Sequence, residues 1–288
     1  MSIKFIVDSA SDITPAEAKE MGVTVVPLKT IFGEEEYLDG LTLDYKGFYE
    51  KLYEYGEKPK TAQISPYIFG EEFKKELALG NDVICIDLSK LVSGCYQSAC
   101  VAKQELGADN IHVIDSKTVA MSERALVQLG IKLANEGKSA NEIADILTKK
   151  ADDLRLIVLL ENLDYLTSGG RISKEDAAGN NANGVRPIIA LEEGKVAMKG
   201  KARGTKAAYD LLNQLIEESG GIDFDLPYSV GFGGLSDELA KKYMEANKEF
   251  FNATSIDEIP LYPIACTIGA HLGPNTIAVG FFAKNKNN

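Results

Sequence analysis

The 288-residue chain contains no tryptophan, two histidines and four cysteines. Cys85, Cys95, Cys100 and Cys266 form no CxxC pair, and so few thiol and imidazole ligands argue against a structural zinc site. The four thiols are therefore expected to be reduced and to act as small hydrophobic side chains. Positive charge is also scarce. Lys and Arg total 31 against 43 Asp and Glu, and a net charge of −12 disfavours nucleic acid and anionic membrane as partners. No apolar run approaches the ~20 residues needed to cross a bilayer; Leu154–Leu160 is only one buried strand long. Residues 1–25 lack the charged start, apolar stretch and small-residue cleavage site of a secretory signal. These absences together point to a cytoplasmic chain with no integral membrane segment. What remains is ordinary for a folded protein, with 45% hydrophobic and 26% charged residues. The length suits two domains of ~150 residues each.

The first half alternates strand and helix signals. Apolar runs at Ile3–Asp8, Thr24–Leu28, Asp82–Asp87, Ile111–Asp115 and Leu154–Leu160 read as strands. Helices are expected from the capping box Thr14–Glu17, over Tyr45–Tyr55, from Ser65-Pro66, over Gly94–Leu106, from about Met121, and from the capping box Ser139–Glu142. Such alternation predicts a parallel sheet with helices on both faces. The second half reads differently. Arg186–Ala202 predicts an antiparallel hairpin turning at Glu193-Gly194, and Thr205–Ser219 an amphipathic helix closed by Gly220-Gly221. Strands near Tyr228–Phe232, Ser255–Leu261 and Thr276–Phe282, with a helix from Ser236, complete it. The expected fold class is α/β: an N-terminal parallel-sheet α/β/α domain, 1–160, packed against a C-terminal α+β domain, 161–288.

Several groups could carry chemistry. The first, third and fourth strands end in Asp8-Ser9, Asp87 with Ser89, and Asp115-Ser116, at the sheet edge where open parallel sheets bind ligands. Capping and loop satisfaction explain most of these as well. Ser93-Gly94 precedes a helix start, where free N–H groups favour an anion, although a simple N-cap is the plainer reading. Thr61, in Lys60-Thr61-Ala62-Gln63-Ile64-Ser65-Pro66, precedes another helix and is read equally well as an anion ligand or a turn hydroxyl. His271, in Gly269-Ala270-His271-Leu272-Gly273-Pro274, fills no core stripe and is expected to be accessible. Thr167-Ser168-Gly169-Gly170-Arg171 could hold phosphate through backbone N–H groups and Arg171, but it lacks the Lys-Ser/Thr of a Walker A loop. Gly231-Phe232-Gly233-Gly234 is read as a turn. Lys195, Lys199, Lys201, Arg203 and Lys206 make the one basic cluster, either a solvated hairpin or a surface for an acidic partner.

These segments together resemble the DegV family of bacterial fatty-acid-binding proteins, over essentially the whole chain. The resemblance rests on Asp8-Ser9-Ala10-Ser11-Asp12, Lys60 to Pro66, Ser93-Gly94-Cys95-Tyr96-Gln97-Ser98-Ala99 and Val113-Ile114-Asp115-Ser116. It continues through Leu163-Asp164-Tyr165-Leu166 with Gly169-Gly170-Arg171-Ile172, then Lys201-Ala202-Arg203 and Gly269 to Pro274. It implies a ligand tunnel between the two domains holding one long-chain fatty acid and no other cofactor. The carboxylate would meet Thr61, Ser93 and Gly94 N–H, with His271 near the entrance. It also implies a non-catalytic carrier that presents the carboxylate to a separate ATP-dependent fatty acid kinase, feeding phospholipid synthesis. Arg203 and His271, with Arg171, match positions associated with the kinase encounter. Ala62, Ile64 and Asn275 depart from the family's usual residues. Two other classes compete: a nucleotide-binding phosphotransferase using Thr167–Arg171 and Gly231–Gly234, and a serine hydrolase built on Ser93, His271 and Asp115. The latter fails the GxSxG elbow pattern.

Overall fold

Local chemistry sets the helix starts. Thr14 Oγ1 accepts from the Glu17 N–H while Glu17 accepts from the Thr14 N–H, and Pro15 opens the helix Pro15–Met21. Ser139 and Glu142 repeat the arrangement ahead of Ala140–Lys150. The computed structural model describes residues 2–177 and 184–284. Its first seven strands are β1 (Ile3–Asp8), β2 (Thr24–Val26), β3 (Lys29–Phe32), β4 (Glu35–Leu38), β5 (Lys60–Ala62), β6 (Asp82–Asp87) and β7 (Ile111–Asp115). The other six are β8 (Leu154–Leu159), β9 (Val185–Glu192), β10 (Lys195–Arg203), β11 (Ser229–Gly233), β12 (Leu261–Pro263) and β13 (Thr276–Phe282).

The expected parallel sheet is present, in the order β2-β1-β6-β7. Its strands alternate faces with the two-residue period. Phe5, Val7, Ile84 and Ile86 pack with Ile143 and Leu147 on one side. Ile6, Val83 and Cys85 pack with Phe69, Phe73 and Ala99 on the other. All four cysteines are free thiols.

Leu154–Leu160 does not extend this sheet, which corrects the sequence reading. As β8 it lies inside a six-stranded sheet, order β10-β9-β8-β13-β11-β12, and pairs antiparallel with both β9 and β13. A strand central to either sheet type is buried on both faces and reads as an unbroken apolar run, so its pattern could not tell the two apart. A division into two lobes, which we propose on this basis, falls just before Leu154. The hairpin forms as expected, β9 against β10 through Glu193-Gly194. Ser255–Leu261 is corrected too. Ser255 accepts from the Asp257 N–H and winds Ile256–Glu258 into a 3-10 turn, leaving only Leu261–Pro263 as strand. Gly231 and Gly233 sit within buried β11 rather than in a turn, because a Cβ on Gly231 would come within 2.0 Å of the Met121 side chain.

A third sheet, β4-β3-β5, is small and antiparallel, and it carries Thr61 opposite buried Thr30. The helix Cys266–Leu272 packs beside it and is held at its start from outside. Asp39 accepts from the Cys266 and Thr267 N–H groups at 3.2 and 2.9 Å, and Asp12 accepts from the Ala265 N–H at 2.9 Å. No side chain of the helix's own N-cap does this work. The two distant carboxylates satisfy N–H groups that would otherwise be orphaned, and they thereby fix the face carrying His271.

Candidate functional site

The inner face of the six-stranded sheet floors a cavity. Leu156 and Val158 of β8 project into it, two residues apart, beside Leu191 and Ile189 of β9. Loops of the parallel-sheet lobe roof it with Leu88, Val92 and Val119, and the Cys266–Leu272 helix contributes Ile268, His271 and Leu272. The space between these atoms, solvent at its opening included, is about 570 Å³, and twelve of its seventeen lining residues are aliphatic.

Polar groups gather at one end. Thr61, Ser93, Arg171 and His271 all line the cavity. Thr61 Oγ1 lies 2.9 Å from His271 Nε2. With the imidazole proton on Nε2, the ring donates to Thr61 and leaves the Thr61 O–H directed to another acceptor. Burial, and then the positive charge of Arg171, hold the His271 imidazolium down at about pKa 4, so the ring is neutral near pH 7. Gly169 makes room for it, because a Cβ there would lie 2.3 Å from His271 Nδ1. Ser93 Oγ accepts from the Cys95 N–H at 3.3 Å, just ahead of the helix Cys95–Leu106. Gly94 is that helix's N-cap, and a Cβ there would lie 1.9 Å from Gln63 Oε1, so the Gln63 side chain would have to move to admit one. Gly94 stands behind Ser93 and is not among the cavity-lining residues.

The Arg171 guanidinium, half-buried, donates to the Val92 carbonyl at 3.1 and 3.3 Å and also to the Gly169 carbonyl, which holds it beside the other polar residues of the cavity. Sequence reasoning could not see this, because the Val92 carbonyl lies 79 positions away. Arg203 is elsewhere. It is exposed at the end of edge strand β10, whose basic residues alternate onto the solvent side. Lys199 and Lys206 pair with Glu192 and Asp210. Charged side chains of this kind guard an exposed sheet edge, and exposed Arg203 stands at its end.

Two hydroxyls, one imidazole and a guanidinium held by backbone carbonyls are thus gathered in an otherwise mostly apolar lining. The arrangement does not assemble a hydrolase. His271 Nδ1 is buried without a partner, and Asp115 instead accepts from the Lys90 and Lys117 N–H groups. Nor do Thr167–Arg171 form a phosphate cradle, since Thr167 donates to the Leu163 carbonyl and Arg171 is committed to carbonyls. Among the described residues no cluster of three or more His, Cys, Asp or Glu could hold a metal ion. No helix of the described residues is long and apolar enough to cross a membrane.

Comparison with known proteins gives a consistent match. The sequence profile described as "Uncharacterised protein, DegV family" matches residues 2–284. A DegV domain-containing protein of Clostridium perfringens is 32% identical over 280 residues, covering 96% of this chain and 97% of that one. A solved fatty acid (stearic acid)-binding protein from Eubacterium ventriosum superposes with a TM-score of 0.84 at 27% identity, covering 97% of each chain. The Streptococcus pneumoniae Fatty Acid Kinase (Fak) B3 protein, solved loaded with linoleic acid, superposes at 0.83 over 99% of this chain and 100% of that one. Its 21% identity speaks for the shared fold alone.

Proposed function

The chain belongs to the DegV family, and from that membership we propose that it binds one long-chain fatty acid and presents the carboxylate to a separate ATP-dependent kinase. The observation that carries this reading is the cavity that gathers Thr61, Ser93, Arg171 and His271 and is otherwise lined by aliphatic side chains and Thr267. A sixteen-carbon acid has ~14 methylenes, and at ~0.8 kcal/mol each their burial is worth on the order of 11 kcal/mol before ordering costs. Hydrocarbon burial thus supplies the affinity, and the polar end fixes direction and offsets desolvation of the head. The chain itself would perform no chemistry, and the acyl phosphate made on it would enter phospholipid synthesis. A carrier working with ATP operates in the cytoplasm.

The stearic acid bound by the E. ventriosum relative supports this ligand class. The kinase as partner is what the DegV resemblance implies, and the S. pneumoniae protein, whose name carries a fatty acid kinase, shares this fold. Within this reading Arg203, exposed on β10 away from the bore lining, is the residue that meets the kinase. Arg203→Ala is expected to leave palmitate affinity unchanged and to lower the kinase's kcat/KM for the loaded carrier by about 10- to 30-fold, as for a contributing interface arginine. Unchanged kinase kinetics with this variant overturn the docking role.

A further inference from the structure

The register of the six-stranded sheet gives the bore a direction and an end. Leu191 pairs with both Leu156 and Val196, forming one rung of inward side chains across β8, β9 and β10. Two residues along, about 7 Å away, Ile189 pairs with Val158 and forms the next rung. Beyond that, β8 runs out through Leu160 into the segment carrying Leu166 and Arg171, which is the polar end. The Leu156–Leu191–Val196 rung is therefore the one remote from the head. Beyond it the hairpin turns at Gly194, and the Gly194 carbonyl accepts from Ser89 Oγ at 2.7 Å, tying the turn to the opposite lobe. The same three residues also line an open groove of about 2190 Å³ on the outside, beside Lys117, Arg155 and Lys195. One layer of side chains thus separates the bore from water.

Resting on the carrier reading above, we infer that the Leu156–Leu191–Val196 rung, braced by the Ser89–Gly194 contact, is the stop against which the acyl methyl end abuts and so sets the chain length bound. Val196 is the adjustable member, because it is only partly buried and belongs to the edge strand. While the bore continues, each added methylene should tighten binding about four-fold. At the stop this gain ends, giving a break in a plot of log Kd against carbon number.

The test is titration of delipidated full-length protein with the saturated acids from twelve to twenty-two carbons. Val196→Phe is expected to move the break to a shorter acid and to weaken the longest acid bound by wild type at least about 15-fold, the value of two methylenes. Val196→Ala and Ser89→Ala are expected to move it to a longer acid. Thermal melting checks that each variant is folded, and Ser89→Ala, which removes only one buried hydroxyl from the loop after β6, keeps the test available if a strand variant is not. A break that stays at one chain length in every folded variant overturns the stop while leaving the carrier reading standing. A wild type that binds none of the acids overturns both.

Discussion

Replacing Thr61 with Val and Ser93 with Ala together is expected to weaken palmitate binding by about 100-fold or more, with the fold intact. Each hydroxyl lost removes one hydrogen bond to a charged head, worth about 1.5–3 kcal/mol. Arg171, pinned by the Val92 carbonyl, keeps its charge in the double variant and so limits the loss. Titration calorimetry on delipidated protein reads the effect, and wild-type affinity in the double variant sinks the assignment of the head. The same experiment has a pH arm. His271 is held at about pKa 4, so it stays neutral through pH 6–8, and wild-type affinity should be flat across that range. A binding imidazolium would instead strengthen affinity as pH falls through ~6.5. For stability the sign is also fixed. Between about pH 6.5 and 4 the unfolded imidazole takes up a proton that the folded one refuses, so His271 makes stability fall as pH drops through that window. Asp8 works the other way. Burial raises its carboxyl to about 7, so its contribution is full below ~3.8 and is lost as pH rises toward 7.

The largest loss of stability is expected from Arg124→Ala. Arg124 is 2% exposed, and its guanidinium grips both Glu17 oxygens at 2.9 and 2.7 Å and the Asp12 carbonyl at 2.8 Å. It also stacks 3.8 Å from the centre of the Tyr262 ring. Removing the arginine of this pair costs about 3 kcal/mol, the low end for a buried pair, because Glu17 is 29% exposed and keeps its Thr14 hydrogen bonds. At about 2–4 °C per kcal/mol the melting temperature should fall by roughly 6–12 °C. The loss should reach the site as well, since the Asp12 carboxylate holds the Ala265 N–H ahead of the His271 helix. A melting temperature within about 2 °C of wild type would show that the pair is worth no more than a surface ion pair.

Much of this architecture is legible in the sequence, for local reasons. Capping boxes at Thr14 and Ser139 fix helix starts within a few residues, and Glu193-Gly194 dictates its turn. The strand ends were readable as well. Asp8 staples the Ala10 and Leu88 N–H groups, and Ser9 accepts from the Leu28 N–H, so these residues mostly serve their loops. What escaped depends on partners distant in sequence. A run such as Leu154–Leu159 has the same composition in either sheet, and only pairing with β13, more than a hundred residues on, decides it. Three-residue β5 is too short to show a period, so Thr61 read as a loop residue. Thr61 and Ser93 were singled out from hydroxyls before helix starts, and the fold does bring both to the cavity with His271. Arg171 stands out in a glycine-rich loop, but nothing local announces that the Val92 carbonyl will capture it. The aliphatic lining could not be located at all. Its members come from separate strands and loops, and each reads alone as ordinary core.

The most direct measurement is mass spectrometry of an organic extract of the protein purified from a bacterial host, followed by titration of the delipidated chain with palmitate. A mostly apolar cavity that gathers a few polar groups should yield a long-chain fatty acid in the extract and rebind palmitate at one site per chain with submicromolar affinity. An extract free of fatty acid, together with no saturable uptake of palmitate or oleate, would contradict it.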